Sequence, residues 1–353
     1  MNLSVNIGKL KLKNPVMAAS GTFGYAKEFE GLIDFKKIGA LITKTITLRP
    51  RQGNPMPRIC ETASGMLNAI GLQNEGIDDF IKEKLPYLSK LKIPIIVSIS
   101  GDSVKEFCVL AKRLEKVRSI NGIELNISCP NVNEGRWMMD EGMMDEGRWT
   151  PVRRSLGEGG RDDGRLSAEA LAKAEGTMDE GREEKRKRLI AQDKDATYEV
   201  VKNVRKVTKK TLITKLSPNV TDIVEIAEAA RRAGSDAVSL VNTFLGMAID
   251  INTRKPSLGN ITGGLSGPCI KPIALRMVWE VYRSVNIPII GIGGIMNAED
   301  AIEFIIAGAS AVQIATANFI EPDACEKVIK GIGEYLKKNK IKNIKEIAGI
   351  LTG

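Results

Sequence analysis

The run Asn126-Ile127-Ser128-Cys129-Pro130-Asn131 sets a thiol among carboxamides and closes with a proline. The chain contains no histidine. A Ser-His or Cys-His pair and a histidine-ligated metal are therefore excluded. Proton transfer falls to Cys, Lys, Asp, Glu or Tyr. A lone cysteine is ordinarily a small buried hydrophobe. Cys129 differs because Ser128 precedes it and Pro130 ends any strand there, which predicts a loop. A free thiol titrates near ~8.5, so a nearby lysine makes a usable thiolate. A positioned thiolate removes a proton α to a carbonyl.

Two lysines close apolar runs: Lys44 in Lys44-Thr45, and Lys215 in Lys215-Leu216-Ser217-Pro218-Asn219. Each could snorkel to solvent. Each could instead be a fixed charge, one for a substrate carboxylate and one for the anion that develops on a reduced flavin. Carboxamides recur beside them, at Asn126, at Asn131, in Val241-Asn242-Thr243 and in Asn68-Ala69-Ile70-Gly71-Leu72-Gln73-Asn74. An amide offers donors and an acceptor together, which suits a ring of alternating N–H and C=O groups, a pyrimidine or a flavin. One asparagine alone reads as a turn or cap; several at strand ends on one face do not. Gly293-Gly294 and Ala315-Thr316 follow the last two apolar runs, where barrels often cradle a phosphate on backbone N–H groups.

These residues need a scaffold. Short, β-branched apolar runs occur at 15–19, 40–45, 94–100, 122–128, 211–216, 237–243, 288–293 and 311–317, as expected of parallel strands covered on both faces. Helical periodicity lies between most of them. Phe107, Leu110, Ala111, Leu114 and Val117 form one apolar stripe. Ile223, Ile226, Ala227 and Ala230 form another, after the cap-like Asp222 and before Gly234. Ala301, Phe304, Ile305 and Gly308 repeat the theme. Eight such units predict one (β/α)8 barrel, with chemistry at the strand C-termini. An open doubly wound sheet is the alternative, but Gly21-Thr22-Phe23-Gly24 is not the G-x-G-x-x-G that would favour it. Residues 3–12 read as a hairpin before the first strand, and 247–262 as an extended excursion after the sixth.

One block is foreign to this pattern. Residues 134–193 hold 9 Arg but 3 Lys, whereas the rest of the chain holds 11 Arg and 29 Lys. The block has nine glycines, net charge −3, and an echoed Met-Asp-Glu-Gly at 139–142, 144–147 and 178–181. Such a composition buries too little apolar surface to offset ordering entropy. It is expected to be an inserted low-complexity segment, mostly disordered, with at most short helices at 167–175 and 182–190. Outside it the net charge is +12, which admits an anionic ligand. Aromatics at 5% give little for a single-strand nucleic-acid platform. Five scattered cysteines without a C-x-x-C suggest free thiols in a reducing compartment. No run of ~18 apolar residues occurs, and the first residues lack a signal-peptide layout. A cytoplasmic location, with neither membrane nor nucleic acid as partner, is the expectation.

The stretches at 68–74, 126–131 and 215–219, together with Asn260-Ile261-Thr262-Gly263-Gly264-Leu265-Ser266-Gly267-Pro268, resemble the class 1 dihydroorotate dehydrogenases, and within them class 1B. The resemblance covers nearly the whole chain outside 134–193. It implies a single FMN-binding barrel domain over 1–353 that oxidises dihydroorotate to orotate in pyrimidine synthesis. It implies that Cys129 is the base for the C5 proton while the C6 hydride goes to the flavin. Substrate contacts would come from Lys44, Asn68, Ala69, Ile70, Gly71, Leu72, Asn126, Asn131, Asn242 and Thr243. FMN would lie on Ser20, Lys44, Thr45, Ser98, Asn126, Lys215, Val241 and Gly267, with its phosphate on Gly293, Gly294, Ala315 and Thr316. Ser98 and Ala315 stand where the family commonly has Asn and Gly. Class 1B also implies a homodimeric core joined to a second subunit, whose FAD and [2Fe–2S] cluster pass electrons to NAD. Two other readings stay open: a different flavin barrel, of the dihydropyrimidine or tRNA-dihydrouridine type, and an FMN-binding scaffold silenced by the insertion.

Overall fold

The computed structural model of the chain describes residues 1–128 and 190–352. Cys129, Asn131 and the short helices expected at 167–175 and, apart from Ile190, at 182–190 lie outside the described residues. Eight parallel strands form a closed barrel: β1 (Val16–Ala18), β2 (Ala40–Ile42), β3 (Ile95–Ile99), β4 (Gly122–Asn126), β5 (Thr211–Lys215), β6 (Ala237–Leu240), β7 (Ile289–Ile292) and β8 (Ala311–Ile314). They close in sequence order, with β8 paired to β1. Each coincides with an apolar run expected as a strand. All are buried on both faces, with polar side chains among the apolar ones on β3 (Ser98), β4 (Glu124, Asn126), β5 (Thr211, Thr214, Lys215), β6 (Ser239) and β8 (Gln313). Closure leaves no exposed strand edge.

Helices cover the barrel where the apolar stripes predict them. Val104–Glu115 buries Phe107, Leu110, Ala111 and Leu114, and Ser103 caps it by accepting from the Glu106 N–H at 3.3 Å. Ile223–Arg232 buries Ile223, Ile226, Ala227 and Ala230, and the Asp222 carboxylate accepts from the Val224 and Glu225 N–H groups. Ala298–Ile306 starts in a capping box between Asn297 and Asp300. In each case the cap and the stripe agree on where the helix begins. No ordinary α-helix stands between β1 and β2, where two single-turn 3-10 segments, Lys27–Phe29 and Phe35–Lys37, make the connection.

At the far edge of the foreign block the composition ran too long. Ile190–Gln192 forms a 3-10 turn with Ile190 and Ala191 buried, and the Asp193 carboxylate caps the helix Lys194–Val207. These four residues belong to the barrel. Two decorations match expectation. Val5–Ile7 and Leu10–Leu12 pair as an antiparallel hairpin. After β6 the chain leaves the barrel through Phe244–Met247, Ile249–Asp250 and Lys255–Pro256 and returns through Thr262–Ser266. Strands Ile59–Thr62 and Gly65–Asn68 join Phe244–Met247 and Thr262–Ser266 in a four-stranded antiparallel sheet.

Phe304 is fully buried on the Ala298–Ile306 helix, within the main core. Phe304→Ala is expected to lower unfolding free energy by about 3–5 kcal/mol, read as a fall in the urea midpoint with the slope unchanged.

Candidate active site

The strand ladders stop short of the residues expected to do chemistry. β2 ends at Ile42, and Lys44 turns its backbone N–H away to the Gly24 carbonyl at 2.8 Å. β6 ends at Leu240, before Val241, Asn242 and Thr243. These residues follow the C-terminal ends of their strands, where side chains are released from the sheet's alternation.

A continuous hydrogen-bonded chain links four of those ends. The Thr45 and Ser98 hydroxyls lie 2.9 Å apart. The Asn126 amide donates to Thr45 Oγ1 at 3.0 Å. The Asn242 amide donates to Asn126 Oδ1 at 3.3 Å, to Ser128 Oγ at 2.9 Å and to the Ser128 carbonyl at 3.1 Å. Asn242 Oδ1 accepts the Thr243 N–H at 2.9 Å. So the ends of β2, β3, β4 and β6 all contribute members. Ser128, which the sequence reading did not assign a role, anchors the chain immediately before position 129. Its only sequence signal is its place beside the thiol.

Lys215 ends β5, opposite Asn126 in the register of the neighbouring strand. Its side chain is 7% exposed. Among the described residues its one hydrogen bond is to Ser20 Oγ, at 3.4 Å. A desolvated ammonium so thinly paired is costly unless an anionic or strongly accepting group meets it. Lys44 is half-buried at the end of β2. Val241 is buried beside them, its N–H held by the Ile292 carbonyl.

The ends of β7 and β8 form the other half of the rim. Gly293 and Gly294 have φ of 130° and 71°, a region closed to most side chains. A Cβ on Gly294 would stand 2.9 Å from the Gly267 carbonyl and 2.7 Å from Lys271 Cβ. The Gly267 turn is thus pressed against the β7 end. Thr316, after the half-buried Ala315, donates its hydroxyl to Ser266 Oγ at 3.0 Å. The 260–268 run therefore meets both glycine- and threonine-bearing strand ends. This cradle of side-chain-free backbone fits a phosphate, and the under-paired Lys215 with the Thr45–Ser98–Asn126 chain fits the polar edge of a flavin ring.

The four-stranded sheet carries the substrate-loop candidates. Asn68 pairs with Gly264, and its amide donates to the Gly264 carbonyl at 3.2 Å. A Cβ on Gly264 would collide with the Thr243 side chain; only glycine lets Thr243 lie this close to the strand that pairs with Asn68. The segment 69–74 is braced by Arg58. Its guanidinium donates to the Asn54 and Gln52 carbonyls and to Gln73 Oε1, while the Asn54 N–H meets the Ile70 carbonyl and the Ala69 N–H the Arg58 carbonyl. Gly71 and Leu72 follow with left-handed φ of 73° and 56°. Asn219 instead braces the barrel: its amide donates to the Thr243 carbonyl and its Oδ1 accepts the Leu245 N–H.

Two other thiols are held in the protonated form. Burial, with Glu326 beside it, pushes Cys325 up to about 12, and burial raises Cys108.

The comparisons with known proteins decide the family. The dihydroorotate dehydrogenase family model matches residues 2–146 and 183–336. The chain belongs to the dihydroorotate dehydrogenase family. It is 49% identical over 350 residues to the "Dihydroorotate dehydrogenase B (NAD(+)), catalytic subunit" of Geotalea uraniireducens, covering 99% of this chain and 98% of that protein. It is 48% identical, again over 350 residues, to the protein of that name from Bacteroides thetaiotaomicron, covering 99% of each. A crystal structure of the Eimeria tenella dihydroorotate dehydrogenase in complex with ferulenol has the same fold. Its TM-score is 0.71 at 22% identity, and the match covers 99% of this chain and 88% of that one. The resemblance to class 1B read from the motifs agrees with these relatives. Residues 147–182 fall outside the family match.

Thr45 is the link on which Ser98 and Asn126 both depend. Thr45→Val is expected to leave two buried polar groups without a partner and to cost about 2–5 kcal/mol in urea unfolding. Thr45→Ser should restore most of that loss.

Proposed function

We propose that this chain is the FMN-bearing catalytic subunit of a dihydroorotate dehydrogenase of the B (NAD+) type, oxidising (S)-dihydroorotate to orotate in de novo pyrimidine synthesis. The observation that carries this reading is the carboxamide chain Asn126–Asn242–Ser128, joined through Thr45 to Ser98, on the rim that leads into position 129. A dihydropyrimidine ring with its carboxylate matches those amides and the two lysines.

In this reading Cys129, as thiolate, takes the C5 proton of the substrate and later releases it to solvent. Lys44 meets the substrate carboxylate. Asn68, Asn126, Asn131 and Asn242 hold the ring's N–H and C=O groups, with Thr243 and the backbone of 69–72 closing its other edge. FMN, when bound, supplies the acceptor for the hydride leaving C6. Ser20, Thr45, Ser98, Val241 and Gly267 would hold its ring, with Lys215 keeping a buried positive charge against it. Gly293, Gly294, Ala315 and Thr316 would take its phosphate. Restricting water and fixing these groups before the reaction lowers the barrier through position and electrostatics.

The scattered cysteines offer no iron–sulfur spacing in this chain. By its likeness to the B (NAD+) type, a partner subunit carrying FAD and a [2Fe–2S] cluster passes the electrons to NAD, around a homodimer of this chain in the cytoplasm. Among the described residues no helix is long and apolar enough to cross a membrane.

Purified chain should be yellow, and anaerobic dihydroorotate should bleach it. Cys129→Ser should slow that bleaching by ~100-fold or more, the scale of general-base catalysis, while orotate binding, read by flavin absorbance, changes little. Equal bleaching rates would remove Cys129 from its role. Deleting residues 147–182 should leave FMN content unchanged and bleaching at least as fast. Slower bleaching would give that segment a part in the reaction.

A further inference from the structure

Inside the barrel, one step below the mouth, lies a polar layer that the proposed reaction does not use. Glu124 on β4, Ser239 on β6 and Gln313 on β8 are each fully buried. Alternate strands contribute them, as expected of one layer of an eight-stranded barrel. Ser239 Oγ and Gln313 Nε2 both donate to Glu124 Oε2, each at 3.2 Å. Among the described residues, Glu124 Oε1 and Gln313 Oε1 have no hydrogen-bond partner.

Two bare buried acceptors within one connected trio are unusual. Native interiors satisfy nearly all such atoms, with protein groups or ordered water. The Ser239 hydroxyl and one Gln313 N–H are spent on Glu124 Oε2, and no donor among the described residues reaches either bare oxygen. The side chains one layer below are small. Residues two positions back along a strand share its face. Those positions are Gly122 on β4, Ala237 on β6 and Ala311 on β8. Three of the smallest side chains thus underlie three polar ones on the same strands.

We infer that Glu124, Gln313 and Ser239 form a closed internal site for one ordered water, which donates its two protons to Glu124 Oε1 and Gln313 Oε1. The water completes a bridge across the barrel interior between β4, whose end carries Asn126, and β8, whose end leads to Thr316. It lies in the scaffold, so the inference does not depend on which substrate the mouth takes.

A crystal structure of the full chain with its bound flavin, at a resolution that shows ordered solvent, tests this directly. The expected result is one solvent peak about 2.6–3.2 Å from both oxygens. No peak there overturns the inference, as does direct contact between the two oxygens. Crystals grown with rubidium in place of sodium give a second readout: anomalous signal at the peak would make the occupant a cation and overturn the water. Thermal melts of leucine variants provide an independent arm. Glu124→Leu and Gln313→Leu should each lower Tm by ~2–5 °C, because each strands the remaining partner. The double variant should fall by less than the sum of the two. Additive losses would overturn the shared site.

Discussion

Closure of a parallel sheet is the constraint from which the site follows. Eight strands that pair in sequence order, with β8 returned to β1, spend their backbone groups on two neighbours each. Their faces are committed to the helices outside and the core inside. Side chains become free to converge only where the ladder ends, and in a barrel all eight ends point the same way. Lys44, Ser98, Asn126, Lys215 and Asn242 are separated by up to about 200 residues of chain. They meet because each stands at or just past the last residues of its strand.

That geometry explains what was legible in the sequence. Buried parallel strands read as continuous β-branched runs, so all eight were visible, and the helices between them announced themselves by stripe and cap together. Asn126 and Asn242 were visible for a related reason: a carboxamide at the end of an apolar run has no packing explanation. Residues whose role depends on a partner far along the chain were not visible. Ser128 matters through Asn242, and Ser266 through Thr316. Asn219 stood in the Lys215–Asn219 run without a role and is a brace, tied to the Thr243 carbonyl and the Leu245 N–H. Glu124 was hidden inside an apolar run, where only the fold shows that Ser239 and Gln313 reach it. The edge of the inserted block was misread because Ile190, Ala191 and Gln192 are too short an apolar turn to mark a boundary before Asp193, whose function is a helix cap.

The rim also shows how polar groups are kept ready without being left unpaired. Asn126 gives its amide to Thr45 and its oxygen to Asn242, so neither end is stranded. Networks of this kind rigidify when complete and are costly when one member is lost. Lys215 is treated differently. Its long contact to Ser20 leaves most of its donor capacity unspent, and a buried charge kept in that state is a standing electrostatic cost. Groups held this way strengthen whatever negative charge arrives or develops beside them, with little reorganisation at that moment.

The sheet outside the barrel answers a problem that the barrel alone cannot solve. Strand ends supply contacts to one side of a ligand, and a planar ring presents two. The Gly65–Asn68 strand is held on one side by Ile59–Thr62 and on the other by Thr262–Ser266, and the latter also pairs with the strand that leaves β6. Register therefore passes from Thr243, at the barrel rim, through Gly264 to Asn68 without a free joint. Gly264 must lack a side chain for Thr243 to fit, Ser266 must be polar to receive Thr316, and Gly267 must turn with a φ of 102° to meet Gly294. Three unrelated demands fall within four consecutive residues. A stretch under that many simultaneous constraints tolerates few alternatives.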